Sequence, residues 1–311
     1  MSRALLLLVC MTLLGCQPQA DSLRIGTNRW LGYAPLYLAD DLGWTAPSGL
    51  RLVEYPNTTG VLRGFRNGLL DAAMLTLDET LALQDSAGEL DLEIILVSDV
   101  SAGADVLFAR APVTTLRDLK GRRIGVENTA LGAYILSRLL DQAQLHIDDL
   151  SVVSLPVHEQ AAAFTANRVD AVISFASEGP VLEAQGARRI FDSRLLPGEI
   201  VDVMVIDRRR VSAEQRRRLK ALWLDALRTW QETRDESDPR LRKRLGLSAE
   251  ALQVTLDGLL MGDAPLNREW FEGGQLKRSI EQLSQYMSER RLLSGTGRAD
   301  GLIARCGVSA C

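Results

Sequence analysis

Asn28, Arg29, Trp30 and Tyr33 bring an amide, a guanidinium, an indole and a phenol together within six residues, directly after the alternation of Leu23 and Ile25 with polar neighbours. The two rings can stack on a planar ligand or face a cation, whereas the amide and the guanidinium suit a carboxylate or sulfonate. Packing of Trp30 and Tyr33 between a helix and a sheet accounts for the pair equally well.

Further candidates fall at the ends of other apolar runs. Thr76 and Asp78 close one of them, and Asp78 is placed to cap the helix that follows; a free carboxylate oxygen there can also meet a ligand. Ser98 to Asp105 reads as a polar turn between two apolar strands, able to offer backbone N–H groups and the Ser101 hydroxyl to an anion. Glu127 to Gly132, with Asn128 and Thr129, marks the passage from a strand into a helix, where free N–H groups and the helix dipole favour negative charge. His146 and His158 stand twelve residues apart without a cysteine between them and make no metal set, so neither metal nor cofactor is expected. No nucleophile elbow, phosphate loop, dinucleotide fingerprint or zinc-protease motif is present.

These candidates need a scaffold that gathers strand ends. From Leu23 to Arg209 short apolar runs alternate with helical stretches, the signature of α/β organisation. Ten strands are expected: Leu23 to Asn28, Leu50 to Tyr55, Ala72 to Leu77, Glu93 to Ser98, Ala104 to Ala109, Arg123 to Glu127, Leu150 to Leu155, Ala171 to Phe175, Ala187 to Phe191 and Val201 to Ile206. In open α/β sheets the carboxyl edge is where small ligands bind. After Arg209 the pattern is helical: Ser212 to Glu236, Asp238 to Leu245, Ser248 to Leu259 and Asn267 to Glu289. Leu292 to Cys311 reads as an aperiodic tail, and no internal repeat or low-complexity tract is evident. Ala111-Pro112 marks a break between two sheets and Asp202 to Arg210 a return, which gives two crossovers and a hinge.

With 311 residues, 46% of them hydrophobic and 24% charged, the chain has room for about two globular domains. Its net charge of −4 offers no bulk positive charge to hold a nucleic acid. Arg3 and the apolar run Ala4 to Leu14 form a secretory signal over residues 1–15, too short to span a membrane. Leu13-Leu14-Gly15-Cys16 resembles the lipobox of bacterial lipoproteins, which makes Cys16 the lipidated end of a short linker, 16–22; an ordinary secretory signal is the other reading. Acylation by more than one chain anchors a protein stably. Cys306 and Cys311 then remain in an oxidising compartment, where a small terminal disulfide is favoured.

Leu23 to Trp44, Gly64-Phe65-Arg66-Asn67-Gly68-Leu69-Leu70-Asp71-Ala72-Ala73, Ser101 to Asp105, Leu116 to Glu127 and Phe164 to Ala171, taken in order, resemble the substrate-binding proteins of ABC importers in the nitrate, sulfonate, taurine and thiamine-precursor group. The resemblance covers about Leu23 to Met287. It implies an α/β, two-lobed type II periplasmic-binding fold, with lobe I at 23–109 plus 207–291, lobe II at 110–206 and a tail at 292–311. It also implies a monomer, lipid-anchored in the periplasm, that delivers a small anionic or heteroaromatic ligand to an ABC permease. A ligand-sensing subunit for a membrane signalling protein is the alternative, and a pyrimidine-precursor synthase a third. The ligand would lie between Asn28, Trp30 and Tyr33 on one side and Asn128, Thr129 and Ser174 on the other, with Thr76, Asp78, Ser101 and Asp202 completing the ring. Leu31 and Ala34 depart from the Trp-Pro-Gly-Tyr-Glu-Pro pattern of the group, and Phe175-Ala176-Ser177-Glu178-Gly179-Pro180 from its Phe-Glu-Pro.

Overall fold

The computed structural model describes residues 22–86, 90–295 and 301–303. The signal, Cys16, Cys306 and Cys311 lie outside the described residues. The strands are β1 (Leu23–Asn28), β2 (Leu50–Tyr55), β3 (Ala72–Thr76), β4 (Leu92–Ser101), β5 (Asp105–Ala109), β6 (Arg123–Val126), β7 (Ser151–Ser154), β8 (Ala171–Phe175), β9 (Arg188–Asp192), β10 (Val201–Asp207) and β11 (Leu259–Met261). The α-helices are α1 (Ala34–Asp41), α2 (Thr58–Arg66), α3 (Leu77–Ser86), α4 (Ala130–Ala143), α5 (Val157–Thr165), α6 (Gly179–Ala184), α7 (Ala213–Glu232), α8 (Arg234–Leu245), α9 (Ala249–Leu256), α10 (Ala264–Glu272) and α11 (Gln275–Glu289). Among the described residues no helix is long and apolar enough to cross a membrane.

Two sheets form, in the orders β11-β4-β10-β3-β1-β2 and β7-β6-β8-β5-β9. β3 and β10 are buried along their whole length, as strands covered by helices on both faces must be. Trp223 and Trp230 of α7 pack with Tyr37 of α1 in one apolar cluster of the first sheet, while Phe65, Leu75 and Leu276 belong to a second. The other sheet has its own clusters around Leu139 and Phe191 and around Phe108 and Phe164.

The expected lobe boundaries move by one strand at each end. β5 pairs with β8 and β9 in the second sheet, and β10 pairs with β3 and β4 in the first, so the chain crosses between Ser101 and Asp105 and returns between Asp192 and Val201. The Ala111-Pro112 break is thus a turn within the second lobe. Of the segment expected as a polar turn, Ser98 to Asp105, the part from Ser98 to Ser101 is the buried end of β4 and Asp105 is the first residue of β5.

Three local differences have local causes. The helix expected over Asn267 to Glu289 is cut at Gly273-Gly274, where Gly274 takes a left-handed φ of +73° that ordinary residues avoid. β11 is a three-residue strand inside a stretch with helical periodicity, held by antiparallel pairing of Leu259 with Ser101. The tail is partly docked: Ile94 N donates to Leu302 O at 2.7 Å, Leu302 is buried, and Ile303 bridges to Ile94.

The two lobes also share a repeated unit. In the first, β3-β1-β2 is parallel; in the second, β8-β6-β7 is parallel. Arg24 and Arg123 open β1 and β6, and each forks onto an aspartate 47 residues later, Asp71 and Asp170, with closest contacts of 2.8 and 2.7 Å. Each aspartate follows by three residues a left-handed position, Gly68 (φ +71°) or Asn167 (φ +55°). Helices α2 and α5, 9 residues each, occupy matching places. The carboxyl ends of β1 and β6 therefore present matching strand-to-helix turns, one from each lobe.

Candidate functional site

The cleft lies where those turns meet the ends of β3, β4, β5, β8 and β10. From the first lobe, Trp30 packs its indole on Phe175 of the second, with ring centres 4.8 Å apart. Behind this pair is an inner chamber of about 40 Å³, and outside it opens a mouth of about 680 Å³.

Cross-strand pairing concentrates acid in the chamber. On β10, Asp202 sits opposite Thr76 on one side and Asp99 on the other. Like charges directly opposite one another are unfavourable in a sheet. Asp202, Asp99, Asp105 and Glu79 are all buried, and among the described residues none forms an ion pair with a lysine or arginine. Their protonated forms are favoured accordingly. Burial, then the charge of Asp99, raises Asp202 well above the usual carboxylate range. Burial pushes Asp99 and Glu79 up to about 7 and Asp105 up to about 6. Tyr33 donates its hydroxyl to Asp202, and burial raises the phenol well above its ordinary value. Glu127, after β6, is raised as well, chiefly by burial.

Sequence reasoning reached part of this set. Asn28, Trp30, Tyr33, Thr76, Thr129 and Asp202 all line the chamber, and Ser174 lines the recess that continues it past Asp105. Three others stand elsewhere. Asp78 is buried beside the chamber rather than lining it, and it is not a cap. Thr76 and Glu79 form the capping box of α3: Glu79 N reaches Thr76 Oγ1 at 3.4 Å, and Thr76 N donates to Glu79 Oε2 at 3.1 Å. Ser101 is turned to the crossovers, its hydroxyl 2.7 Å from Ser193 Oγ and accepting from Asp105 N at 3.2 Å. Asn128 is exposed, while its neighbours Glu127 and Thr129 face inward. Glu79, Asp99, Asp105, Glu127 and Phe175 were missed as site residues. Asp99 and Asp105 flank Ser101 in the segment read as a turn; only strand pairing reveals them as buried ends.

Several polar atoms around the cleft are buried without a partner: Asn28 Oδ1, Trp30 Nε1, Asp99 Oδ1 and Ser174 Oγ. Gly32 is what lets Trp30 and Asp99 approach, because a Cβ at that position would overlap both Nε1 and the carboxylate. At the start of α4, Thr129 accepts from Gly132 N at 3.0 Å, so one of the helix-end N–H groups expected to receive an anion is already satisfied.

Two α/β lobes, joined by paired crossovers and meeting at a cleft of strand ends, define the two-lobed periplasmic-binding-protein fold. Residues 30–237 match the family model described as NMT1/THI5 like, and the chain belongs to that family. The alkanesulfonate-binding protein SsuA of Xanthomonas axonopodis pv. citri, solved bound to MOPS, is 20% identical with a TM-score of 0.74, over 93% of this chain and 100% of that one. The periplasmic aliphatic sulphonate-binding protein SsuA of Escherichia coli is 21% identical with a TM-score of 0.70, over 88% of each chain. The desulfurization enzyme DSZB has the same fold, at 19% identity and a TM-score of 0.68, over 91% of this chain and 96% of that one. No curated protein matches the chain.

Proposed function

We propose that the chain is an extracytoplasmic solute-binding protein, tethered by a lipid on Cys16, that closes its lobes on a small molecule and presents it to an ABC importer. The observation that carries this reading is the cleft itself: a small, buried chamber assembled from both lobes, with the Trp30–Phe175 contact across it. Membership of the NMT1/THI5-like family and likeness to two sulfonate-binding proteins support it. Binding is favoured over catalysis, although the similar structures include an enzyme. Ser174 has no base hydrogen-bonded to its hydroxyl, and a serine nucleophile needs one.

Native mass spectrometry of the protein recovered from a bacterial envelope tests the reading. We expect a bound small molecule that is lost in Trp30→Ala, and release of the protein from membranes in Cys16→Ala. A chain that carries no solute, and whose melting temperature no small molecule raises, would overturn it.

A further inference from the structure

We infer that the ligand is a small organic cation, whose ammonium-type head enters the inner chamber and whose apolar body lies in the mouth. This rests on the solute-binding reading above and specifies its substrate class.

Charge is the first ground. Asp202 of β10, Asp105 of β5, Glu79 of α3 and Glu127 after β6 line the chamber, with Asp99 of β4 directly behind Asp202, and no lysine, arginine or histidine lines it. The basic side chains near the cleft, Arg29 and His158, belong to the outer mouth. An anion entering the chamber would meet acids from both lobes with no counter-charge. A cation there meets the opposite sign in a site screened from water, where such attraction is strongest.

Burial alone would let these acids stand protonated and idle, but unpartnered atoms point to an occupant. Asn28 Oδ1 and Ser174 Oγ are both buried without a partner, and Ser174 is 3% exposed. Asn28 Oδ1 accepts and Ser174 Oγ is able to, so both match a donor such as N–H, while the unpartnered donor of the cleft, Trp30 Nε1, lies beside the Asp99 carboxylate. Trp30 and Phe175, in contact with their rings tilted by 45° at the chamber entrance, add π-faces that attract cations.

Size and geometry choose the kind of cation. A chamber of about 40 Å³ holds a head group and little more. The mouth, with Leu31, Leu245 and Leu247 on its wall, has room for an apolar body. Among the described residues no set of three His, Cys, Asp or Glu is placed to hold a metal ion, which disfavours a bare divalent cation.

A matched series tests the inference on the mature chain: alkyl- and arylalkyl-ammonium ions, the corresponding alcohols and sulfonates, and calcium or zinc chloride alone, by calorimetry and thermal shift. Ammonium probes are expected to bind at least about tenfold more tightly than their alcohols or sulfonates, since one charge contact in a buried site is worth that much. Binding is expected to release protons between pH 6 and 7, because the cation returns Asp99, Glu79 and Asp105 to their charged forms. Asp202→Asn and Asp105→Asn should each weaken ammonium binding by about tenfold while keeping the ligand-free fold, and Glu214→Gln on the exposed face of α7 should leave it unchanged. Two variants keep the test open if one fails to fold. Equal or tighter binding of alcohols or sulfonates overturns the cation assignment while leaving a binding protein. Saturable binding of a metal ion alone, with no ammonium binding, overturns it as well. If no probe binds and no solute co-purifies, the solute-binding reading falls with it.

Discussion

At the scale of single residues, the acids of the chamber fix how the ligand-free protein responds to pH. A carboxyl whose folded pKa is raised holds its proton longer in the native state than in the unfolded chain. Its contribution to stability is therefore complete below the unfolded value, near 4, and is lost as pH rises toward the folded one. For Asp105 that window closes at about 6, and for Asp99 and Glu79 at about 7. Asp71 and Asp170 shift the opposite way, held low by their arginines, so their contribution declines only at more acid pH and does not blur the window. Stability, and with it melting temperature, is thus expected to fall between pH 4 and pH 7, by on the order of a few kcal/mol across the set. A rise over that range, at constant ionic strength, would contradict it. Asp202→Asn should flatten the decline and raise the melting temperature at pH 8, because the amide oxygen can still accept from Tyr33 without a buried charge. Trp30, Tyr33 and Asp202 were legible in the sequence because aromatic and polar residues at strand ends are conspicuous. Asp99 and Asp105 were not, because a polar stretch between apolar runs looks like a turn until pairing with β10 and β8 shows that it is buried.

At the scale of elements, nearly every strand from β1 to β10 was legible, since short apolar runs between turn signals dictate them. The repeat was not. It consists of a few residues at wide spacing, among them Arg24 with Asp71 and Arg123 with Asp170, and the intervening sequence shares little. What makes it visible is geometry: each guanidinium forks onto its aspartate while the arginine's own backbone N–H donates to the same carboxylate at 2.9 Å. The carboxylates are largely buried and the guanidinium groups are not. Asp71→Asn or Asp170→Asn breaks a charge-assisted, bidentate pair that ties two strands together, and each is expected to cost about 1.5–3 kcal/mol in urea denaturation. The sites lie in different lobes with no shared partner, so their costs should add. A double variant much less destabilised than the sum would mean that the lobes unfold separately. Thr76→Ala removes the hydroxyl of the α3 capping box and should cost about 1 kcal/mol more locally.

At the scale of the whole molecule, the lobes are held in register by contacts away from the cleft as well as within it. Tyr286 of α11 shares a 2.8 Å hydrogen bond with Ser137 of α4 and donates to Asp141, one turn further along the same helix, at 2.8 Å. Arg290 adds an ion pair to Asp141 at 2.7 Å, and Tyr134 packs edge-on against the Tyr286 ring. These groups join α4 of the second lobe to α11 of the first, while the Ser101–Ser193 hydrogen bond ties the two crossovers to each other. If lobe position is an equilibrium, removing contacts made only in the closed arrangement shifts it toward open, and the apparent ligand affinity falls by the fraction of closed form lost. Tyr286→Phe deletes both hydrogen bonds and keeps the edge-on contact of the ring with Tyr134. Small-angle X-ray scattering should then show a larger radius of gyration for the ligand-free variant, contracting to the wild-type value when a saturating ligand is added. Affinity should weaken several-fold although Tyr286 does not line the chamber. Unchanged dimensions with unchanged affinity would mean that the α4–α11 contact persists in both arrangements, and that the lobes pivot around it rather than apart from it.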